Sequence, residues 1–174
     1  MKDIARTIGR AALGIAAAMA ASLALAGNAQ AQFRGPGVYI IKFADTNQVL
    51  DIDNILGHGG RLGQHVLRWG ANGGRNQKFI IYPNEDGYVI RGYDSLYCLD
   101  LPGWQTAVDV EIVQYYCTRQ GNQRFYIEST PHGTIIRSAH GNRFLYADRE
   151  GGRIKLASAT SDPSVGMVFD FVEQ

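Results

Sequence analysis

The sequence predicts an all-β fold, a β-trefoil of three four-stranded repeats with pseudo-threefold symmetry. Three observations carry that expectation. The tetrapeptide Asn76-Gln77-Lys78-Phe79 recurs as Asn122-Gln123-Arg124-Phe125 and, in worn form, as Met167-Val168-Phe169, so its copies lie about 45 residues apart. Each unit opens on a glycine (Gly37, Gly87, Gly133) followed by a β-branched and aromatic run. Beyond residue 31 no segment holds a 3.6-residue apolar period. Twelve short strands in three such units can close into a six-stranded barrel capped by three hairpins, which removes exposed strand edges. A two-sheet sandwich is the alternative, but a sandwich needs no threefold repeat.

The elements follow in order. Residues 1–31 stand apart: Lys2, Arg6 and Arg10 make a basic start, Ala11 to Ala26 is apolar and uncharged, and Ala29-Gln30-Ala31 is a small-x-small cleavage pattern. The run is short for a bilayer span and reads as a secretory signal peptide, with an uncleaved anchor as the alternative. The mature chain is expected from Gln32, as one domain over 32–174 with repeats at about 37–83, 87–129 and 133–172. In the first repeat, strands are expected at Val38 to Phe43, at Val49-Leu50-Asp51-Ile52, up to Trp69, and from Asn76 through Ile81. A Gly-rich loop through Gly57, Gly59 and Gly60 separates the second and third. The second repeat restates this order as Gly87 to Arg91, Cys98-Leu99-Asp100-Leu101, Glu111 to Tyr115 and Asn122 to Ile127. The third has Gly133 to Arg137, Phe144 to Asp148, Arg153 to Ala157 and Met167 to Phe171.

Charge narrows the function. The chain carries 17 Lys+Arg and 16 Asp+Glu, and without residues 1–31 the balance is 14 against 15. A near-neutral surface with no basic stripe argues against nucleic acid and against an electrostatic membrane binder. No second apolar run is long enough to be a transmembrane segment. In an exported chain the pair Cys98 and Cys117 suggests a disulfide; two free core thiols are the alternative.

The units resemble the ricin B-type (R-type, QxW-repeat) lectins over the whole mature chain. The family pattern of Leu-Asp, a Gly-containing loop, an aromatic-ended strand and Asn-Gln-x-Trp is met twice. The first copy is Leu50-Asp51-Ile52, Trp69 and Asn76-Gln77-Lys78-Phe79. The second is Cys98-Leu99-Asp100-Leu101, Tyr115, Cys117 and Asn122-Gln123-Arg124-Phe125, with Phe for the family Trp. The resemblance implies one disulfide, Cys98–Cys117, inside the second repeat; Val49 and Ala71 hold those slots in the first. It also implies sugar binding by Asp51, Trp69 and Asn76 in the first repeat and by Asp100, Tyr115 and Asn122 in the second. Gln77 and Gln123 would tie loop backbone and orient each Asp, and Phe79, Phe125 and Phe169 would be core.

These residue types suit a sugar. An aromatic face stacks on apolar C–H patches, a carboxylate accepts from adjacent hydroxyls, and an Asn amide both donates and accepts. Taken singly, an Asp at a strand end is turn chemistry and Trp69 is core; the joint recurrence favours binding. The family's Gln two residues before the aromatic is replaced by Leu67 and Val113, and only a bulge would bring the neighbouring Arg68 or Gln114 to the same face. In the third repeat Tyr146, Ala157 and Met167 stand in the Asp, aromatic and Gln slots, so that repeat is expected to close the barrel without a site. No catalytic constellation, cofactor or metal site is read: His58, His65, His132 and His140 lack ligand spacing. The resulting expectation is a secreted, extracellular or periplasmic lectin for terminal sugars of the galactose or N-acetylgalactosamine type. The alternatives are a receptor-binding subunit of a multi-component bacterial toxin, with a toxin-subunit partner, and a detached module for polysaccharide.

Overall fold

The structure, a computed structural model, describes residues 32–53, 60–158 and 166–174. The expected signal segment and the loop residues Gly57, His58 and Gly59 lie outside the described residues. Short β-branched and aromatic runs form the expected strands. In the first repeat these are β1 (Gly37–Phe43), β2 (Gln48–Ile52), β3 (Val66–Gly70) and β4 (Phe79–Asn84). The second holds β5 (Gly87–Gly92), β6 (Cys98–Asp100), β7 (Val113–Tyr115) and β8 (Phe125–Thr130). The third holds β9 (Gly133–Ser138), β10 (Leu145–Tyr146), β11 (Lys155–Leu156) and β12 (Val168–Glu173).

Six strands close a ring by antiparallel pairing: β1 with β4, β4 with β5, β5 with β8, β8 with β9, β9 with β12, and β12 back to β1. The remaining strands make three hairpins, β2–β3, β6–β7 and β10–β11. At the pseudo-threefold axis the hairpins are joined in a cycle. Val66 N–H donates to Ile112 O at 3.3 Å, Ile112 N–H to Ile154 O at 2.8 Å, and Ile154 N–H to Val66 O at 2.7 Å. The bonds that would be lost at three hairpin edges are thus made between repeats. The sandwich alternative is excluded by this closure.

The core repeats with the sequence. Phe79, Phe125 and Phe169 are buried at equivalent places, as are Leu50, Leu99 and Leu145. Each large side chain so buried contributes about 1.5–3 kcal/mol of transfer free energy. One expectation is corrected. Asn76 and Gln77 do not begin the fourth strand; they lie in a 3-10 turn, Arg75–Gln77, and the strand begins at Phe79. Asn122 and Gln123 lie likewise in the turn Gly121–Gln123. In a strand, Asn and Gln would point to opposite faces; the turn swings both back toward the preceding hairpin. Cys98 and Cys117 form a disulfide within the second repeat, with Cα atoms 5.1 Å apart. Among the described residues no helix is long and apolar enough to cross a membrane.

Candidate functional site

In the first repeat β2 carries Asp51, which pairs with Leu67, while Val49 pairs with Trp69. Paired residues and their i+2 neighbours share a face, so Asp51 and Trp69 lie on one side of the hairpin. The turn then brings in two amides. Asn76 Nδ2 donates to Asp51 Oδ1 at 2.9 Å and to Ile52 O at 3.1 Å, and Gln77 Nε2 donates to Asp51 Oδ2 at 2.7 Å and to Gly70 O at 2.9 Å. Gln77 Oε1 accepts from Asn72 N–H at 2.9 Å. Gln77 thus ties the loop to the carboxylate, the bracing role expected for it. Trp69 is 44 % exposed, which overturns core burial as its role.

The second repeat builds the same hub with a different wiring. Asn122 Nδ2 and Gln123 Nε2 both donate to Asp100 Oδ2, at 3.0 and 2.7 Å. Gln123 also donates to Tyr116 O at 2.7 Å and accepts from Thr118 N–H at 2.8 Å. Neither amide engages Asp100 Oδ1. Asn122 donates as well toward Leu101 O, so two acceptors set the orientation of its amide. Its Oδ1 is left buried without a hydrogen-bond partner, in a residue only 6 % exposed. Asp100, Asn122 and Tyr115 line one cavity of about 550 Å³ together with Trp104, Val113 and Gln120. That is within the roughly 300–1,000 Å³ usual for small-molecule sites.

Burial pushes the carboxyls of Asp51 and Asp100 above their ordinary value, against the pull of their Gln and Asn donors. Each amide pair therefore offsets the cost of holding a carboxylate out of water and leaves it as an acceptor.

The slots at Leu67 and Val113 supply no polar contact. The pairings Asp51↔Leu67 and Asp100↔Val113 are regular. Arg68 instead turns away to donate to Ala147 O at 3.0 Å, with its guanidinium 4.5 Å from the centre of the Phe43 ring. Gln114 is buried, donating to Arg61 O at 2.7 Å. Without a bulge, neither reaches the site.

A family model described as ricin-type beta-trefoil lectin domain-like matches residues 27–115, half of the chain. This chain belongs to that family. No curated protein sequence matches it. Among solved structures, the lectin-like chain is similar to a designed threefold symmetric protein, ThreeFoil, at 19 % identity and a TM-score of 0.71, covering 79 % of this chain and 99 % of that one. It is also similar to the Polyporus squamosus lectin bound to the human-type influenza-binding epitope Neu5Aca2-6Galb1-4GlcNAc, at 20 % identity and a TM-score of 0.70. That match covers 82 % of this chain and 50 % of the lectin, so this chain spans about half its length. A mosquitocidal holotoxin matches at 20 % identity and a TM-score of 0.70, covering 82 % of this chain and 18 % of the toxin.

In this lectin-like chain the third repeat differs from the other two. Tyr146 holds the Asp slot, paired with Lys155, and its hydroxyl donates to Asp109 Oδ1. That bond, with burial, pushes the phenol up to about 12. The third repeat nevertheless reaches the second. His140 Nε2 lies 3.1 Å from Trp104 O, its ring meets the Trp104 indole edge-on at 5.0 Å, and Arg143 bonds Thr106 O. Both Gly103 and Trp104 have positive φ, 61° and 59°, so this turn holds a non-glycine residue in the left-handed region. Trp104, Gln120 and His140 were not among the residues read from the sequence as site or support. An aromatic three residues past Leu101, after Pro102-Gly103, was the signal that could have found the first.

Proposed function

We propose that the chain is an exported sugar-binding protein of the trefoil lectin type, with its main site in the second repeat and a second site in the first. The observation that carries this is the cavity in which Asp100, Asn122 and Tyr115 converge. It brings together a carboxylate with one oxygen that neither amide engages and an exposed aromatic face. A hydroxyl-rich ring with apolar C–H faces satisfies both together. Family membership supports binding of carbohydrate in general. For the individual sugar, a terminal galactose or N-acetylgalactosamine is our reading, taken from the resemblance. Export is supported by the basic and apolar start of the chain with Ala29-Gln30-Ala31, and by a disulfide of the kind found in oxidising compartments.

A glycan array and calorimetry on the mature chain, with Asp51→Ala and Asp100→Ala, test the reading. Binding is expected in the unmodified chain and reduced in each variant, more in Asp100→Ala. Failure of the unmodified chain to bind any glycan would end it. The likeness to part of a mosquitocidal holotoxin favours a second reading, a receptor-binding subunit. A catalytic chain that co-purifies with this one would distinguish it.

A further inference from the structure

We infer, on the sugar-binding reading above, that each sugar site is completed by the repeat before it, through one backbone position that must stay small: Gly63 beside the second-repeat site and Gly151 beside the first. Three loops meet the next repeat in the same way. Gly63 N–H donates to Gln114 O at 2.8 Å, Asp109 N–H to Leu156 O at 2.8 Å, and Gly151 N–H to Arg68 O at 2.7 Å. In return Gln114 N–H donates to Gln64 O, Leu156 N–H to Val110 O and Arg68 N–H to Gly152 O. Gly63, Asp109 and Gly151 stand three positions before Val66, Ile112 and Ile154, the residues joined at the pseudo-threefold axis, and are therefore equivalent. Each borders the aromatic slot of the next repeat, held in turn by Tyr115, Ala157 and Trp69.

The third repeat shows what a side chain at this position does. Asp109 reaches from its loop to the Tyr146 hydroxyl, and Tyr146 holds the slot that Asp51 and Asp100 hold in the other repeats. With Ala157 in the aromatic slot and this bridge at the hub slot, the third repeat is closed to a ligand. The same span in the second repeat runs from Gly63 to Asp100, and both line the cavity with Tyr115. A Cβ on Gly63 would meet nothing within 4 Å, and one on Gly151 would come 3.6 Å from Trp69 Cζ3. A longer side chain at Gly63 would extend into the open space, and one at Gly151 would lie against the indole. The backbone angle does not by itself require glycine. Gly63, Asp109 and Gly151 all have positive φ, at 76°, 68° and 74°, and the fold accepts Asp109 there, since Asp and Asn tolerate the left-handed region better than other side chains. Glycine at 63 and 151 therefore keeps space open beside the two aromatics.

The test is calorimetry with methyl glycosides of galactose, N-acetylgalactosamine, mannose and xylose, in two backgrounds that each leave one site: Asp51→Ala for the second repeat and Asp100→Ala for the first. Gly63→Asn and Gly151→Asn add a neutral side chain that tolerates positive φ and matches Asp109 in size. Gly63→Asn should lower affinity about tenfold or more in the Asp51→Ala background and leave it within about twofold in the Asp100→Ala background, although Gly63 belongs to the first repeat. Gly151→Asn should do the reverse. Gly63→Ala and Gly151→Ala should show the same pairing with a smaller loss, and they carry the test if an Asn variant melts early. Affinity unchanged by all four substitutions overturns the inference. So does equal weakening in both backgrounds, or a loss from Gly63→Asn at the first-repeat site instead; in each case sugar binding itself stands. A background that binds no probe, while the unmodified chain binds, overturns the pairing for the repeat it isolates. No binding even in the unmodified chain removes the sugar-binding reading and the inference with it.

Discussion

In the first repeat Asn76 takes one oxygen of Asp51 and Gln77 the other; in the second, Asn122 and Gln123 converge on one oxygen of Asp100 and neither amide engages the other oxygen. The same three residue types, Asp followed 25 or 22 positions later by Asn-Gln, thus give a carboxylate shared by both amides in one place and a carboxylate with one oxygen left out of the amide network in the other. The surroundings widen the difference. The second repeat has a disulfide and a Trp104 wall braced by His140 of the third repeat; the first has Val49 and Ala71 where the cysteines would be. A matching motif gives a matching hub, but the binding capacity of the hub depends on its neighbours.

The largest expected effect separates the repeats through the disulfide. Cys98→Ser/Cys117→Ser should cost on the order of 3 kcal/mol of stability, since the bridge closes a loop of sequence separation 19. Urea denaturation measures the cost. Sugar binding at the second repeat should weaken more than at the first, because Tyr116 and Gln123 lose their anchor; equal weakening at both would erase the contrast.

Next comes the carboxylate. Asp100→Asn keeps shape and removes charge, and should cost about 2 kcal/mol of binding, roughly thirtyfold, whereas Asp51→Asn should cost under half of that. Titration of each variant with the best-binding glycan decides. A larger loss from Asp51→Asn would reverse the assignment of the main site.

Gln123→Ala should destabilise by about 1–3 kcal/mol, as Asp100, Thr118 N–H and Tyr116 O each lose a buried partner. Gln77→Ala should fall in the same range, since it spans Asp51, Gly70 O and Asn72 N–H. Chemical denaturation of both variants checks whether the two hubs are structurally equal even where their ligand faces differ.

The smallest effect is that of pH. Burial raises the Asp51 and Asp100 carboxyls above their ordinary value, so the folded chain holds these protons more tightly than the unfolded chain. Their contribution to stability is therefore greatest below the unfolded value and declines as pH rises through the folded one. Sugar binding needs the carboxylate and should run the other way, beginning to weaken at a higher pH than an ordinary Asp would give as the solution is acidified. Calorimetry and melting curves from about pH 3 to about pH 7 would show the two trends crossing. Binding and stability that fall together on acidification would assign the pH response to other groups.

Much of the fold was legible because it is written three times. A spacing of about 45 residues, glycine at each opening and Phe79, Phe125 and Phe169 at each peg specify a threefold closed barrel, since one four-stranded unit cannot bury its own face. The hub residues were legible for the same reason: Asp51 with Asn76 and Gln77, and Asp100 with Asn122 and Gln123, recur in phase. Their geometry was less so. The placement of Asn76 in a strand failed because a three-residue 3-10 turn has no periodicity for a sequence pattern to show.

By itself, then, the sequence determined the repeat, the barrel, the disulfide pair and the identity of the two hubs, because these depend on residues near one another within a repeat or copied between repeats. Only the tertiary structure decided how each hub is wired. Trp104 is set by His140, 36 positions along in another repeat, and the direction of Asn122 Oδ1 follows from where Leu101 O and Asp100 Oδ2 lie in space. Contacts of this kind join segments of unlike sequence, each made once, and a single pairing leaves no period to read.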